Sequence, residues 1–512
     1  MEMFKLKTGS SQDQTFKVRM TPMKFLVPKV DIKIIEKALL AENNVDNIGQ
    51  RPTEDIIQAK ADDKNKKEID RPQIWRDAAA DSLIKKIDEA KNKYNVLYDE
   101  FGKELFDKIG YKIRITDSLV WAAKKQSGGQ YVTRAWLKFY EIYCHFKFLE
   151  ELISADKYIF AFLNAELPGA SICALNHYIK TKISNEKIEF DWRGSSYVSQ
   201  WDDNSTSSKT NFDEKPGDNI NIKNKKFEHE KSSISLEDKY GIWENNKDKW
   251  LMEKGVNNGD ATDIENLLDF RQKLCSNSFS FQGNNKIDKN ETCRPNLYSH
   301  DAGIDVSISV KDDIFGGPFE NQEARNARVH LGCAISGLIT LKIGGMFVAK
   351  QYSILERLSI DLLIIYAAMF DEFYLFKPVT SGVSNSEIYL IGIRFNGLPQ
   401  SIKEAIFGRL DNFSFRPMLG YIPHNNLEQT GDIYNVAKKI YEFEKEYVEE
   451  QIEFIIQDIK YYKLGREDLR NLDIFDPIKY NFTKKFLKDN ELKRINSVDL
   501  IPAGGKSIYN KK

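Results

Sequence analysis

Between about residues 131 and 397, short apolar runs rich in β-branched and aromatic residues alternate with stretches of helical spacing. The runs "KYIFAFLNAE", "KIEFDW", "NLYSHDAGIDVS", "GGMFVAKQY", "EFYLFKP" and "SEIYLIGIRF" read as strands, since such residues fit a buried pleat and turn-forming residues bound them. Leu331, Ile335 and Leu338 recur at i, i+4 and i+7 and mark one of the helices between them. This alternation predicts an α/β fold with a mainly parallel sheet covered on both faces. Ligands of such sheets bind at the carboxyl ends of the strands.

The flanks follow another rhythm. In residues 1–130, Ile87, Ala90, Tyr94, Leu97 and Phe101 share one helical face, so this region is expected to be mainly helical, with "QRPTEDIIQAKADDKNKKEIDRPQ" as a solvated connector. In residues 398–512, a long amphipathic pattern runs from Val436 through Ile440, Phe443, Tyr447, Val448, Ile452 and Ile455 to Ile459, again predicting helix. Residues 202–254 are polar, rich in Asn and Lys and poor in large aliphatics; they read as an insertion in the α/β domain that does not order strongly. No internal repeat is evident.

Composition narrows the classes. A chain of 512 residues, 41% hydrophobic, exceeds one compact core and predicts additions around it. Acidic and basic residues nearly cancel, 76 against 75, so any polyanion site must be a local groove. Cys144, Cys173, Cys275, Cys293 and Cys333 lack CxxC spacing and are expected as free thiols in a reducing compartment. The histidines do not pair with ligating residues at metal-site spacing, so no metal is expected. "MEMFKLKTGSSQDQ" lacks the apolar core of a signal peptide, and "LSIDLLIIYAAMF" is short for a membrane span and carries Asp361; a soluble, cytoplasmic protein without membrane contact is expected.

Five short stretches place reactive side chains at element ends. In "LNAELPGASICALNHYI" a strand runs into Glu166, breaks at Pro168 and Gly169, and opens a helix with Ala170 and Ser171; glycine there admits close approach to whatever lies above the sheet edge. In "RAWLKFYEI" Lys138 sits on an amphipathic helix. Asp301 of "YSHDAGIDVS" ends an apolar run, and Lys350 of "GGMFVAKQY" lies at a strand end. Glu387 of "KPVTSGVSNSEIYLIGIRF" opens a strand. Singly, each reads equally as a turn or a solvated residue. Together they gather two lysines and two carboxylates on one rim of the expected sheet.

That set resembles the FtsJ-like ribose 2'-O-methyltransferases, whose signature is a lysine, aspartate, lysine, glutamate tetrad in that order. The matching segments, with "NNGDATDIENL" added, cover roughly residues 131 to 397. "WLKFYEI", "FLNAELPGASICALNHYI" and "DWRGSSY" are similar to the FtsJ-like proteins of large nucleocytoplasmic DNA viruses in particular. The resemblance implies a Rossmann-like sheet that uses S-adenosyl-L-methionine, with Lys138, Asp301, Lys350 and Glu387 catalytic. It assigns Glu166, Leu167, Pro168, Gly169 and Ala170 to the cofactor, with Asp260 at the adenosine end and Asp301 beside it. Asp191 of "FDWRGSS" stands where nucleotide-binding folds often keep a ribose-binding acid, though a solvated turn is an equal reading. Two departures stand out: the cofactor turn reads "ELPGA" where many relatives have a second glycine, and the insertion lengthens the connection from Asp191 to Asp260.

The tetrad suits its implied chemistry. A ribose hydroxyl needs a base and an in-line approach to the methyl. A lysine is a base only when neutral, which requires its free pKa of about 10.4 to fall by roughly three units. Burial and nearby cations lower it; adjacent carboxylates raise it. Lys138 and the cofactor's positive charge are therefore expected to favour a neutral Lys350 as the base, while Asp301 and Glu387 orient the two amines and limit that shift, with Lys138 also positioning the hydroxyl. For substrate, "VWAAKKQSGGQYVTRAW" interleaves Trp121, Tyr131 and Trp136 with Lys124, Lys125 and Arg134, equally a base-stacking groove or a helix surface with core aromatics. "KPVTSG", with Lys377 and Ser381, is expected as a substrate-facing loop. The reading is a cap-specific RNA 2'-O-methyltransferase acting on capped mRNA, alongside other capping or transcription proteins. The alternatives are methylation of ribosomal or transfer RNA, or a catalytically silent RNA-binding subunit.

Overall fold

The computed structural model describes residues 2–6, 14–46, 78–156, 158–183, 188–198, 238–253, 256–275, 294–304, 321–419 and 431–502. The expected connector at 50–73 and most of the expected insertion lie outside the described residues. In chain order come β1 (Glu2–Leu6), β2 (Gln14–Val18), β3 (Met23–Leu26), α1 (Ile32–Asp46), α2 (Ala78–Ile113), α3 (Thr116–Ser127), α4 (Arg134–Phe146) and α5 (Phe148–Asp156). The α/β region follows with β4 (Tyr158–Asn164), α6 (Ala170–Lys182), β5 (Glu189–Gly194), α7 (Ile264–Cys275), β6 (Leu297–His300), α8 (Gln322–Thr340), β7 (Met346–Tyr352), α9 (Arg357–Ala368), β8 (Phe370–Lys377) and β9 (Glu387–Phe395). Helices α10 (Gln400–Asp411), α11 (Gly431–Glu467) and α12 (Asp476–Asp489) complete the described chain.

Seven strands form one sheet in the order β3-β8-β9-β7-β6-β4-β5. β5, β4, β6 and β7 run parallel, and β9 inserts antiparallel between β7 and β8. This is a Rossmann-like α/β fold. Strand alternation splits the core: Ile159, Ala161 and Leu163 of β4 pack on the side of Trp136, Tyr140 and Ile172, while Phe160 and Phe162 pack on the side of Leu331, Ile335 and Leu338. No helix among the described residues is long and apolar enough to cross a membrane. The run around Asp361 is α9, twelve residues long, and its carboxylate accepts the backbone N–H groups of Met418 and Leu419.

Beside its helices the N-terminal region carries strands: β3 adds an antiparallel edge strand to the main sheet against β8, and β1 and β2 pair as a hairpin. One expectation is corrected. The insertion is shorter than residues 202–254, because 238–253 packs into the core. There Ile242, Trp243, Trp250, Leu251 and Met252 are buried, Trp250 meets Trp192 and Trp243 edge to face, and Leu251 N donates to Gly194 O at 2.8 Å. Five large apolar residues within eleven positions outweigh the polar average of the whole stretch.

Helix α8 crosses the loop before α7 so closely that a Cβ on Gly332 would lie 1.9 Å from the Ala261 carbonyl oxygen. That backbone cannot yield without moving the loop carrying Asp260. Gly332→Ala is therefore expected to cost about 1–3 kcal/mol in urea unfolding. A variant as stable as the parent chain contradicts this contact.

Candidate active site

The chain steps from β4 outward to β5, then returns to β6 on the other side of β4, so the sheet order reverses there. Sheets of this kind hold ligands in the crevice at that reversal, beyond the carboxyl ends of the strands. Ala165–Gly169 follow β4, Ser195–Val198 follow β5, and Asp301–Ile304 follow β6.

The sheet and one helix bring the two lysines and two carboxylates together. Thr133 caps α4 by accepting the Trp136 N–H, and Trp136, Leu137, Phe139 and Tyr140 bury the helix against the sheet, leading Lys138 to its rim. On β7, Lys350 and Tyr352 continue the face of Met346 and Val348; on β9, Glu387 and Tyr389 continue the face of Ile391. Antiparallel pairing sets Lys350 opposite Tyr389 and Glu387 opposite Tyr352. Lys138 Nζ lies 2.6 Å from Glu387 Oε1 and 2.8 Å from Oε2. Lys350 Nζ lies 3.7 Å from Glu387 Oε2 and 3.6 Å from Asp301 Oδ1, and donates to the Asp301 carbonyl at 3.3 Å. Tyr389 OH donates to Asp301 Oδ1 at 3.0 Å and reaches Glu387 Oε1 at 3.4 Å, while Ser381 Oγ donates to that same oxygen at 3.0 Å.

Opposing charges set the protonation of this cluster. Burial pushes the Glu387 carboxyl up, but Lys138, Lys350 and Lys377 together hold it well below the carboxylate range. Burial pushes Lys350 down, yet Asp301, Tyr352 and Glu387 outweigh it and hold the amine protonated. A depressed Lys350 is thus not a property of the protein alone.

The cofactor candidates divide. Glu166 turns inward: Oε1 accepts the Ser171 N–H at 2.7 Å and the Ile172 N–H at 3.2 Å, and Oε2 accepts the Ser171 hydroxyl. It caps α6, leaving backbone rather than carboxylate at the crevice. Leu167 N–H is held by Ser196 Oγ at 3.3 Å, Pro168 follows a cis bond, Gly169 has φ 116°, and Ala170 starts α6. Ile242 covers Gly169, so that a Cβ there would lie 3.0 Å from the Ile242 Cγ2. Asp260 lies in a loop joined to the end of β5 through the Val198 N–H, which donates to Asn258 O at 2.8 Å. Its Oδ1 accepts from both Thr262 N and Oγ1 at 2.8 Å. Asp191 is a correction: it stands opposite Phe160, below the carboxyl end, and pairs with Arg193 at 2.8 Å and Lys249 at 2.6 Å. Those ion pairs occupy it.

The substrate candidates divide likewise. Arg134 is exposed, one turn before Lys138, and pairs with Asp117 at 3.3 Å. Lys377 is fully buried, donating to Ser381 Oγ, to Asn385 and to the Glu387 carbonyl at 2.6 Å; Ser381 is buried beneath Glu387. "KPVTSG" is therefore a support and not an open loop, for Glu141 also accepts the Val379 and Thr380 N–H groups. Tyr131 and Trp136 are core residues; Trp121 is 67% exposed. Tyr352 and Tyr389 went unnoticed in the sequence, although each stands two residues beyond a tetrad member and so must share its face.

The Rossmann-like sheet carries this lysine and carboxylate cluster at its carboxyl rim, and the sequence is that of a group-transfer enzyme of the methyltransferase class. The model of the FtsJ-like methyltransferases matches residues 231–395, and the chain carries an FtsJ-like methyltransferase domain. Asp301, Lys350 and Glu387 fall inside the match, Lys138 and the Glu166 turn before it. A probable methyltransferase of African swine fever virus is 27% identical over 387 residues, 74% of this chain and 74% of that protein. The cap-specific mRNA (nucleoside-2'-O-)-methyltransferase 2 of Drosophila melanogaster is 22% identical over 336 residues, 65% of this chain and 40% of the relative. Its counterpart in Mus musculus is 27% identical over 274 residues, 54% and 29%.

The Glu166 cap carries a pH signature. Burial raises its carboxyl from 4.5 to about 8, against the bonds from Ser171 and Ile172 that lower it. The folded chain then keeps a proton that the unfolded chain releases, so this contribution to stability is full below pH 4.5 and is lost as pH rises to about 8. Glu166→Gln removes that dependence. In urea unfolding between pH 5 and 9, the variant is expected to gain on the parent as pH rises; a constant difference contradicts the buried, protonated cap.

Proposed function

We propose that this chain transfers a methyl group from S-adenosylmethionine, the donor of FtsJ-like methyltransferases in general, to the ribose 2'-oxygen of RNA, at the cap-proximal nucleotide of mRNA. The observation that carries this reading is the buried Lys138, Asp301, Lys350 and Glu387 cluster on the carboxyl rim of an FtsJ-like domain. The names of the fly and mouse relatives support a cap substrate.

The crevice fits such a donor. The turn after β4 and Asp301 follow the ends of neighbouring strands, the Asp260 loop is tied to the chain after β5, and Ser195 Oγ, buried at the end of β5, has no hydrogen-bond partner among the described residues. The Ala165–Ala170 turn, Ser195, Asp260 and Asp301 are the groups proposed to hold it. The donor supplies a methyl on a sulfonium cation, a positive charge that opposes the pull of Asp301 and Glu387 on the Lys350 proton. Lys350, once its own proton has left to solvent, would take the 2'-hydroxyl proton as that oxygen accepts the methyl group. Glu387 holds both amines in place and Lys138 orients the hydroxyl. Arg134, exposed one turn from Lys138, is placed to meet a phosphate.

Because Lys350 must lose its proton, the rate is expected to rise with pH across the neutral to alkaline range. Labelled methyl should reach capped RNA and not its uncapped match, and Lys350→Ala should lower transfer by about 100-fold or more. Equal labelling of uncapped RNA moves the substrate to internal RNA. Near-normal turnover by Lys350→Arg, whose side chain does not deprotonate, overturns the base assignment.

A further inference from the structure

The loop that carries Glu387 is held from below by helices outside the FtsJ-like match. Ser384, Asn385 and Ser386 immediately precede Glu387, and each is bound by the flanking helices α2 or α11. Lys91 Nζ of α2 donates to Ser386 Oγ at 2.5 Å. Gln451 Nε2 of α11 donates to the same hydroxyl at 3.1 Å and to Ser384 O at 3.0 Å. Tyr447 OH of α11 donates to Asn385 O at 2.9 Å. The Ser384 side chain meets Tyr94 of α2 and Asp458 of α11, which are themselves joined at 2.7 Å. Asn385 Oδ1 in turn accepts the Glu387 N–H at 3.1 Å. Lys91, Tyr447 and Gln451 are buried, so water does not compete for these bonds.

We infer that α2 and α11 form a clamp in which Lys91, Tyr447 and Gln451 are positioning residues, fixing the Ser384–Ser386 loop and through it the carboxylate that spaces Lys138 and Lys350. A loop of this length would otherwise sample several arrangements. A shift of about 1 Å at the carboxylate is enough to lower turnover by about 100-fold. The two flanking regions are thus part of the apparatus that sets the reaction rate, and not only a shell around it. This rests on the methyltransferase reading above.

The test uses the full chain with Lys91→Met and Gln451→Leu, which remove donors at similar volume, Lys91→Arg, which keeps one, and Lys108→Ala on the outer face of α2 as control. The clamp predicts that kcat falls about 10- to 100-fold in Lys91→Met and Gln451→Leu, with KM for donor and RNA unchanged. It predicts partial recovery in Lys91→Arg, parent activity in Lys108→Ala, and a smaller loss from Ser386→Ala in the Lys91→Met background than in the parent chain, since Gln451 still binds that hydroxyl. Parent kcat in both clamp variants, or a loss that follows the unfolded fraction measured by circular dichroism, overturns it. If the parent chain methylates no RNA, the functional reading fails and takes this inference with it; parent activity with unaffected variants defeats the clamp alone.

Discussion

The Glu387 carboxylate shared between two lysine amines is the interaction on which the rest of the site depends. A buried carboxylate is costly unless it is paired and hydrogen-bonded. Glu387 meets that demand with Lys138 on one side, Lys350 on the other, and the Ser381 hydroxyl on a third. Each partner comes from a different part of the chain, so this pairing requires helix α4, strand β7 and strand β9 to be in register. The register between β7 and β9 supplies it, because a slip of one residue would send Lys350 to the opposite face of the sheet. Asp301, arriving from the end of β6, adds the second negative charge that keeps Lys350 a cation.

The same carboxylate explains why so much polar material is buried on one side of the sheet. Lys377 lies beneath it with all its visible bonds directed to Ser381, Asn385 and the Glu387 backbone, and burial, opposed by Glu387, pushes its amine well below the usual lysine range. Glu444 of α11 lies nearby, raised to about 7 by burial while it accepts the Ile354 N–H at 3.0 Å. These groups continue from the rim into the interface between α2 and α11. Additions that look peripheral in the sequence therefore end against the loop that carries the site.

Much of this was legible beforehand, for physical reasons. Strands of the α/β region announced themselves because residues buried on both faces give unbroken apolar runs, while the tetrad stood out only as a set, through its resemblance to a family signature. Strand β3 was hidden: four residues with only alternate burial, "MKFL", give little periodic signal. Residues 238–253 were misjudged because composition averaged over the whole of 202–254 diluted two tryptophans and their aliphatic neighbours. Asp191 and Lys377 were misread in another way, and Glu166 keeps its place in the turn with its carboxylate facing inward. A carboxylate or amine near a strand end reads the same whether it faces a ligand, caps a helix or pairs inside the fold, and only the partners Ser171, Lys249 and Asn385 decide between them. None of those partners is identifiable from spacing alone.

The most direct measurement of the central claim is the pH dependence of single-turnover methyl transfer by Glu387→Gln, compared with the parent chain. Gln preserves shape and removes the charge that helps to hold Lys350 protonated. The account predicts a slower reaction whose rising limb moves to lower pH. A rising limb at the parent's position, with the rate unchanged, would contradict the claim that this carboxylate governs the lysine.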